Sequence, residues 1–259
     1  MKLAHIPPRG LEVHALRQRF HLVLAQVDYP EYLETYQHAR GRGDYIILDN
    51  GAAEGATVGD ALLMHRAQQL RADEIVIPDV MGRSNDTVRR MWRFFDNLNE
   101  MTYPWKDYRY MAVAQGGNEA EVKKCIEEFV KCYNIKVLGI PRHLVKTLAN
   151  HMIRVDLAKW LQEEYPKRFE IHFLGAAPTF PGEPFVVSRY NVPVRSMDTS
   201  LAFNYAIAGR ELKRPVLAGE PIVNVVTRPE GYWSRRWNTA VKTPLLVQNL
   251  QTLEDWADV

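Results

Sequence analysis

The chain reads as an α/β protein of the (β/α)8 barrel class, a TIM barrel with a short C-terminal appendage. Three observations point there. Eight short β-rich runs are spaced along the chain, amphipathic runs lie between most of them, and several β-rich runs end in a carboxylate or glycine. Near-continuous apolar strands alternating with helices imply a parallel sheet buried on both faces. Eight such units closing on themselves make a barrel whose strand ends collect at one mouth. A doubly wound open sheet is the competing arrangement of the same pattern.

The candidate strands are KLAHI, HLVLAQV, DYIILDNG, EIVIPDV, YRYMAVAQGG, IKVLGIP, EIHFLGA and VPVRSMD. A helix is expected from about Thr57 to Arg71, with Leu63, Ala67 and Leu70 on one face. A second is expected from about Ser84 to Asn99, carrying Val88, Trp92 and Phe95. A third begins at Asn118, which can cap with Glu121 three residues on; Val122, Ile126, Phe129 and Val130 then repeat at helical spacing. A fourth carries Ile153, Leu157, Trp160 and Leu161. The first two units are irregular. Between Ala176 and Tyr190 the prolines at 178, 181 and 184 and Gly182 make a poor helix, so PTFPGEP is read as an ordered loop at the mouth. SLAFNYAIAGREL reads as a helix. Residues 1–210 form the expected barrel, and 211–259 an appendage packed on it within the same domain.

The 259 residues suffice for one barrel that buries most of its surface. Thirty-three Lys and Arg against 31 Asp and Glu give a net charge of +2, which does not mark a nucleic-acid binder. Seven Lys or Arg lie between Arg210 and Lys242, whereas the last stretch carries only Glu254, Asp255 and Asp258. Cys125 and Cys132 are seven positions apart on a predicted helix, about 10.5 Å at ~1.5 Å per residue. That is too far for a disulfide, and a reducing cytoplasm fits. No apolar run approaches the roughly 20 residues of a membrane span, and MKLAHIPPRG lacks a signal-peptide core.

Asp49, Asp79 and Asp198 stand where buried strands open into loops. Each has a plain alternative: Asp49 as a turn former in Asp-Asn-Gly, Asp79 as a solvated rim carboxylate, Asp198 as a helix N-cap. Together, on three strands of one barrel, they point to a site. Gln115 offers an amide that donates and accepts, suited to the edge of a nucleobase, or forms a plain strand-to-helix turn. Gly116 and Gly117 allow a flat ligand close to the backbone. Gly139 and Gly175 also sit near strand ends. His143 and His172 read as structural. No metal-ligand spacing, Walker A, dinucleotide glycine pattern or Gly-x-Ser-x-Gly elbow appears, so neither metal nor cofactor is expected. RPEGYWSRRWN combines Arg228, Arg235 and Arg236 with Trp233, offering phosphate pairing and base stacking; the alternative is a solvated loop packing its tryptophans on the barrel.

The motifs LDNGAAEG, IPDVMG, AQGG, LGIPRH, IHFLGA and SMDTSLAFNYA, in this order from about Asp44 to Tyr205, resemble those of the tRNA-guanine transglycosylase superfamily. Its members run Asp-Ser-Gly-Gly, a strand-end Asp, Gln-Gly, a Gly-containing strand end, Leu-(Phe/Met)-Gly and Phe-Asp-Ser/Cys. The resemblance implies a (β/α)8 barrel that exchanges bases without breaking the nucleic-acid backbone. By position, Asp198 resembles the nucleophile and Asp49 the general acid/base. Asp79 and Gln115 resemble the purine-binding groups, and Gly139 and Gly175 backbone contacts to the base. Asp-Asn-Gly-Ala replaces Asp-Ser-Gly-Gly here, and the Cys3His zinc site of tRNA-modifying members is absent. The chain is most similar to the compact DpdA-like proteins of phages and bacterial modification clusters, associated with 7-deazaguanine in DNA.

The resemblance therefore implies replacement of guanine in DNA by a preQ0-like base, in the cytoplasm, phage-encoded or bacterial. The guanosine would be flipped or single-stranded, with a strand-opening partner or a homo-oligomer involved and no membrane. Three other readings stay open: the same chemistry on tRNA, a non-catalytic nucleic-acid-binding barrel subunit, and an unrelated small-molecule barrel enzyme.

Overall fold

The computed structural model describes residues 1–55, 58–101, 107–176, 183–213, 226–238 and 241–258. Eight strands are present: β1 Lys2–His5, β2 Phe20–Leu24, β3 Tyr45–Asp49, β4 Glu74–Val76, β5 Arg109–Val113, β6 Ile135–Pro141, β7 Glu170–Leu174 and β8 Ser196–Thr199. Six lie within the expected runs; β2 begins one residue earlier, at Phe20, and β8 ends one residue later, at Thr199. Their order is β1-β8-β7-β6-β5-β4-β3-β2 and every pairing is parallel. β2 returns alongside β1, so the sheet nearly closes into a (β/α)8 barrel.

The outer layer is formed by α1 Pro30–Gly41, α2 Asp60–Leu70, α3 Ser84–Glu100, α4 Glu119–Lys131, α5 His143–Thr147, α6 Ile153–Glu164, α7 Glu183–Arg189, α8 Leu201–Ile207 and α9 Thr243–Ala257. The Asn118 side chain accepts from the Glu121 amide at 2.9 Å, and the Glu121 carboxylate accepts from Gly117 N at 2.8 Å. The Asn118 cap that the sequence predicts for α4 is present, with the Glu121 carboxylate reaching back one residue beyond it, to Gly117.

Four differences from the sequence reading have physical causes. Helix α1 was not expected, because its buried face is built from Tyr32, Tyr36 and Ala39 rather than aliphatic residues. The Tyr32 hydroxyl accepts from Leu24 N at 2.8 Å and so fixes the end of β2. On α3 the buried face is Met91, Phe94, Phe95 and Leu98; of the expected stripe Phe95 is buried and Val88 packs partly buried against the core, but Trp92 is 43% exposed. Helix α2 begins at Asp60 rather than near Thr57, which lies outside the described residues. The expected mouth loop at 178–182 is also outside them, but Glu183 and Pro184 already belong to α7; proline is tolerated in a first helical turn.

Of the appendage, α9 lies in the outer layer against β1, α7 and α8. Leu246, Leu250, Leu253 and Trp256 are buried there. His5, pointing outward from β1, meets Glu254 at 3.1 Å, and Arg17 meets the same carboxylate at 2.9 Å. The segment 226–238 lies at the mouth instead. Tyr232 OH donates to Ile6 O at 2.6 Å, and Trp237 N donates to Arg9 O at 3.0 Å.

Cys125 and Cys132 are free and buried. No helix among the described residues is long and apolar enough to cross a membrane.

Candidate active site

A cavity of about 1000 Å³, counting its open mouth, lies at the C-terminal ends of the strands. That place suits a small-molecule or nucleotide-unit site in a barrel. Asp49, Asp79, Gln115, Gly175 and Asp198 all line it, as do Asn50, Glu54, Arg142 and Arg228. Five side chains or backbones read from sequence as distant strand ends therefore share one space.

Asp198 projects inward from β8, with Ala4 of β1 as its register partner. Its Oδ1 accepts from Gly175 N at 2.7 Å and lies 3.2 Å from His172 Nε2. Among the described residues, Oδ2 has no partner. The N-cap reading of Asp198 is not realised, since Ser200 holds the N-cap position of α8. His172, which reads as structural from the sequence, is a partner of Asp198 in the fold. Its Nδ1 is 2.8 Å from Ser196 Oγ, which accepts from Arg195 Nε at 3.0 Å. Arg195 in turn bonds both oxygens of Glu74, at 2.8 and 3.0 Å. An ionised Asp198 can only accept, so its contact with His172 takes a proton from Nε2; the Ser196 hydroxyl, which can both donate and accept, holds Nδ1 on the other side. A buried polar column thus runs from the barrel floor to Asp198.

Asp49 ends β3. Burial drives its carboxyl up to about 8, reinforced by the charges of Asp198, Asp79 and Glu54. Desolvation and like charge both disfavour the anion, so Asp49 is predominantly protonated at neutral pH.

Asp79 is gripped from both sides. Asn50 Nδ2 donates to its Oδ1 at 3.0 Å and Gln115 Nε2 to its Oδ2 at 2.6 Å. Burial raises the Asp79 carboxyl above its ordinary value, with these two amides opposing. Asn50 also donates to Ile77 O at 2.7 Å and accepts from Ala52 N at 2.7 Å. Gln115 Oε1 accepts from Gly82 N at 2.8 Å. Gln115 is therefore not a free reader of a base; it keeps one N–H and holds Asp79 in place. The importance of Asn50 was hidden in sequence by its turn-forming neighbours.

The glycine expectations need correcting. Gly116 does not line the cavity; a Cβ there would fall 2.7 Å from Val122 N, so it seats α4 against β5. Gly139 does not line it either. A Cβ at 139 would meet Leu174 Cδ1 at 2.7 Å and Met111 Sδ at 3.0 Å, so this glycine makes room for the interior layer beneath the cavity. Gly175 lines the cavity, but its amide holds Asp198 and its carbonyl accepts from Arg154 at 2.6 Å. Its backbone orients the nucleophile candidate rather than a base. At φ +69°, with Arg142 Cδ 2.8 Å from an added Cβ, only glycine fits.

The Arg and Trp residues of 226–238 divide. Arg228 reaches the cavity and is ion-paired with Glu54, whose other oxygen is 3.4 Å from Trp233 Nε1. Arg228 also lies over the rings of Tyr232 and Trp233, at 5.0 and 5.3 Å. Arg235 is exposed over Trp237, and Arg236 pairs with Glu31. Only Arg228 touches the cavity; Arg235 and Arg236 stand outside it. Among the described residues no group of three or more His, Cys, Asp or Glu side chains is arranged to hold a metal ion.

No protein-family model matches this chain, and no curated protein matches it.

Proposed function

We propose that the protein is a base-exchange transglycosylase that replaces guanine in DNA with a preQ0-like 7-deazaguanine through a covalent Asp198–sugar intermediate. One observation carries the reading: Asp198 is anchored by Oδ1 alone, with Oδ2 unpartnered among the described residues, in the same cavity as Asp49, whose carboxyl is raised to about 8. A fixed carboxylate beside a carboxylic acid is the pair that retaining glycosyl transfer uses.

In the first step Asp198 Oδ2 bonds to the anomeric carbon as the bond to guanine N9 breaks. The electron pair leaves with the base, and Asp49 gives it a proton. In the second step the incoming 7-deazaguanine loses its N9 proton to Asp49. Its nitrogen then displaces Asp198, and the sugar returns to its original configuration. Asp79, steadied by Asn50 and Gln115, retains lone pairs to accept from the N–H edge of a guanine. The enclosed site requires the guanosine out of the base stack, either flipped or in a single strand. No nucleotide energy source enters the balance.

The test is exchange of labelled guanine, and incorporation of preQ0, into a guanine-containing single-stranded DNA and, in parallel, into tRNA, with the nucleosides identified by mass spectrometry. Label in DNA supports the reading. Label in tRNA alone moves the same chemistry to RNA. No label in either removes the proposal.

A further inference from the structure

We propose that Arg142 is a phosphate anchor: it takes a phosphate borne by the sugar that faces Asp198, so that the cavity selects a nucleotide unit over a free nucleoside. The inference rests on the base-exchange reading for the identity of that sugar.

Three arginines surround Gly175 and the mouth, and they differ in what they hold. Arg154, fully buried, donates to the Leu174 and Gly175 carbonyls at 3.2 and 2.6 Å and lies 3.0 Å from Glu183. Arg228 is ion-paired with Glu54. Arg142 lines the cavity, yet no hydrogen bond or ion pair engages its guanidinium among the described residues. The carboxylates of Asp198 and Glu54 act on it only at a distance, and a half-buried cation with no bonded anion is costly.

The position of Arg142 is fixed. It follows Pro141, the last residue of β6, and its backbone amide donates to Leu174 O at 2.9 Å. Its stem fills the space a side chain at 175 would occupy, with Cδ, Cγ and Nε at 2.8, 3.3 and 3.4 Å from an added Cβ. The amide of that same Gly175 holds Asp198. The guanidinium therefore stands beside the candidate nucleophile without pairing to it. A furanose whose anomeric carbon faces Asp198 carries its phosphates within a side chain's reach of its ring. Arg presents parallel N–H donors that match phosphate oxygens. Burial, and then the nearby charge of Arg228, weakens the hold of Arg142 on its proton, against the opposing charges of Asp198 and Glu54; the charge of a bound phosphate would add to that opposition.

Calorimetry tests this with four probes on the full chain: guanine, deoxyguanosine, and deoxyguanosine 5′- and 3′-monophosphate. Wild type is expected to bind one of the monophosphates at least 10-fold more tightly than deoxyguanosine. Arg142→Gln, which keeps the packing against Gly175 but not the charge, is expected to lose that preference while binding guanine as wild type does. Equal affinity of wild type for deoxyguanosine and both monophosphates overturns the anchor alone, as does a preference that survives in Arg142→Gln. Failure of all four probes to bind wild type overturns the anchor and the base-exchange reading together. The wild-type ratio requires no variant, so a Gln protein that does not fold leaves the test intact.

Discussion

His172 Nε2 lies 3.2 Å from Asp198 Oδ1, at the upper end of a buried column that descends through Ser196 and Arg195 to Glu74. His172, Ser196 and Glu74 are fully buried. The column supplies one of the two donors that hold Asp198 in a single orientation. Orientation is what a nucleophile in a double displacement needs, because small misplacements of reacting groups are slow to react.

Replacing His172 removes one donor and leaves the Gly175 amide. His172→Ala is expected to lower kcat by on the order of 10- to 100-fold with little change in KM. His172→Gln, which can still donate toward Asp198, is expected to recover part of that loss. Steady-state exchange kinetics on both variants check this. A rise in KM with unchanged kcat would mean that His172 acts on binding rather than on the nucleophile.

The pH profile should report Asp49. Its carboxyl is held near 8, so kcat/KM for guanine displacement is expected to fall on the alkaline side of about pH 8, as the acid is lost. Stability carries the same signature. The folded value lies above the unfolded one, so the contribution of Asp49 to stability is complete below the unfolded carboxylate range and is lost as pH rises toward 8. Asp49→Asn should abolish exchange and flatten that decline. Chemical denaturation at pH 5, 7 and 9 reads it directly; an unchanged slope in the variant would assign the titration elsewhere.

Asn50 saturates its hydrogen bonds on Ile77 O, Asp79 and Ala52 N. Asn50→Ala strands buried partners and is expected to cost about 1–3 kcal/mol of stability. It also frees Asp79, so binding of guanine should weaken by roughly 10-fold, an expectation anchored to the loss of about one net hydrogen bond to a charged group. Denaturation and guanine titration on the same preparation test both halves. Wild-type guanine affinity in this variant would show that Asp79 does not depend on Asn50.

Glu254 ties the last helix to the barrel. Burial alone would raise its carboxyl, but His5 and Arg17 bring it down to about 2. Because the folded value lies below the unfolded one, this contribution is complete above the ordinary glutamate range and is lost as pH falls toward 2. Glu254→Gln is expected to lower stability at pH 7 while narrowing its difference from wild type near pH 2. Thermal unfolding across that range is the check; a constant difference would remove the charge from the explanation.

The barrel was legible because its signals are local. Each strand is a short apolar run, and helices such as α4 announce themselves by caps and periodicity. What escaped was carried by residues with two faces. Tyr32 and Tyr36 bury helix α1 although tyrosine is weak in an apolar pattern, and Trp92 was assigned inward by spacing but points out. At the site, Asp49, Asp79 and Asp198 were readable as strand-end carboxylates that share a cavity. The groups that hold them were not. Asn50 looked like part of a turn, and His172 like a core histidine. Only its parity with Leu174 on β7 hints that it faces inward. Gly116, Gly139 and Gly175 show the converse error: glycine near a strand end signals close approach, but here the approaching groups are Val122, Leu174 and Arg142.

The central claim is a covalent bond from Asp198 to a sugar. The most direct measurement is intact-protein and peptide mass spectrometry after wild-type protein is mixed with a guanine-containing single-stranded DNA oligonucleotide and quenched by denaturation. The expected result is an adduct of the oligonucleotide less one guanine, on the peptide that holds Asp198, absent in Asp198→Asn. Guanine exchange with no adduct on that peptide, or an equal adduct in Asp198→Asn, would contradict the account.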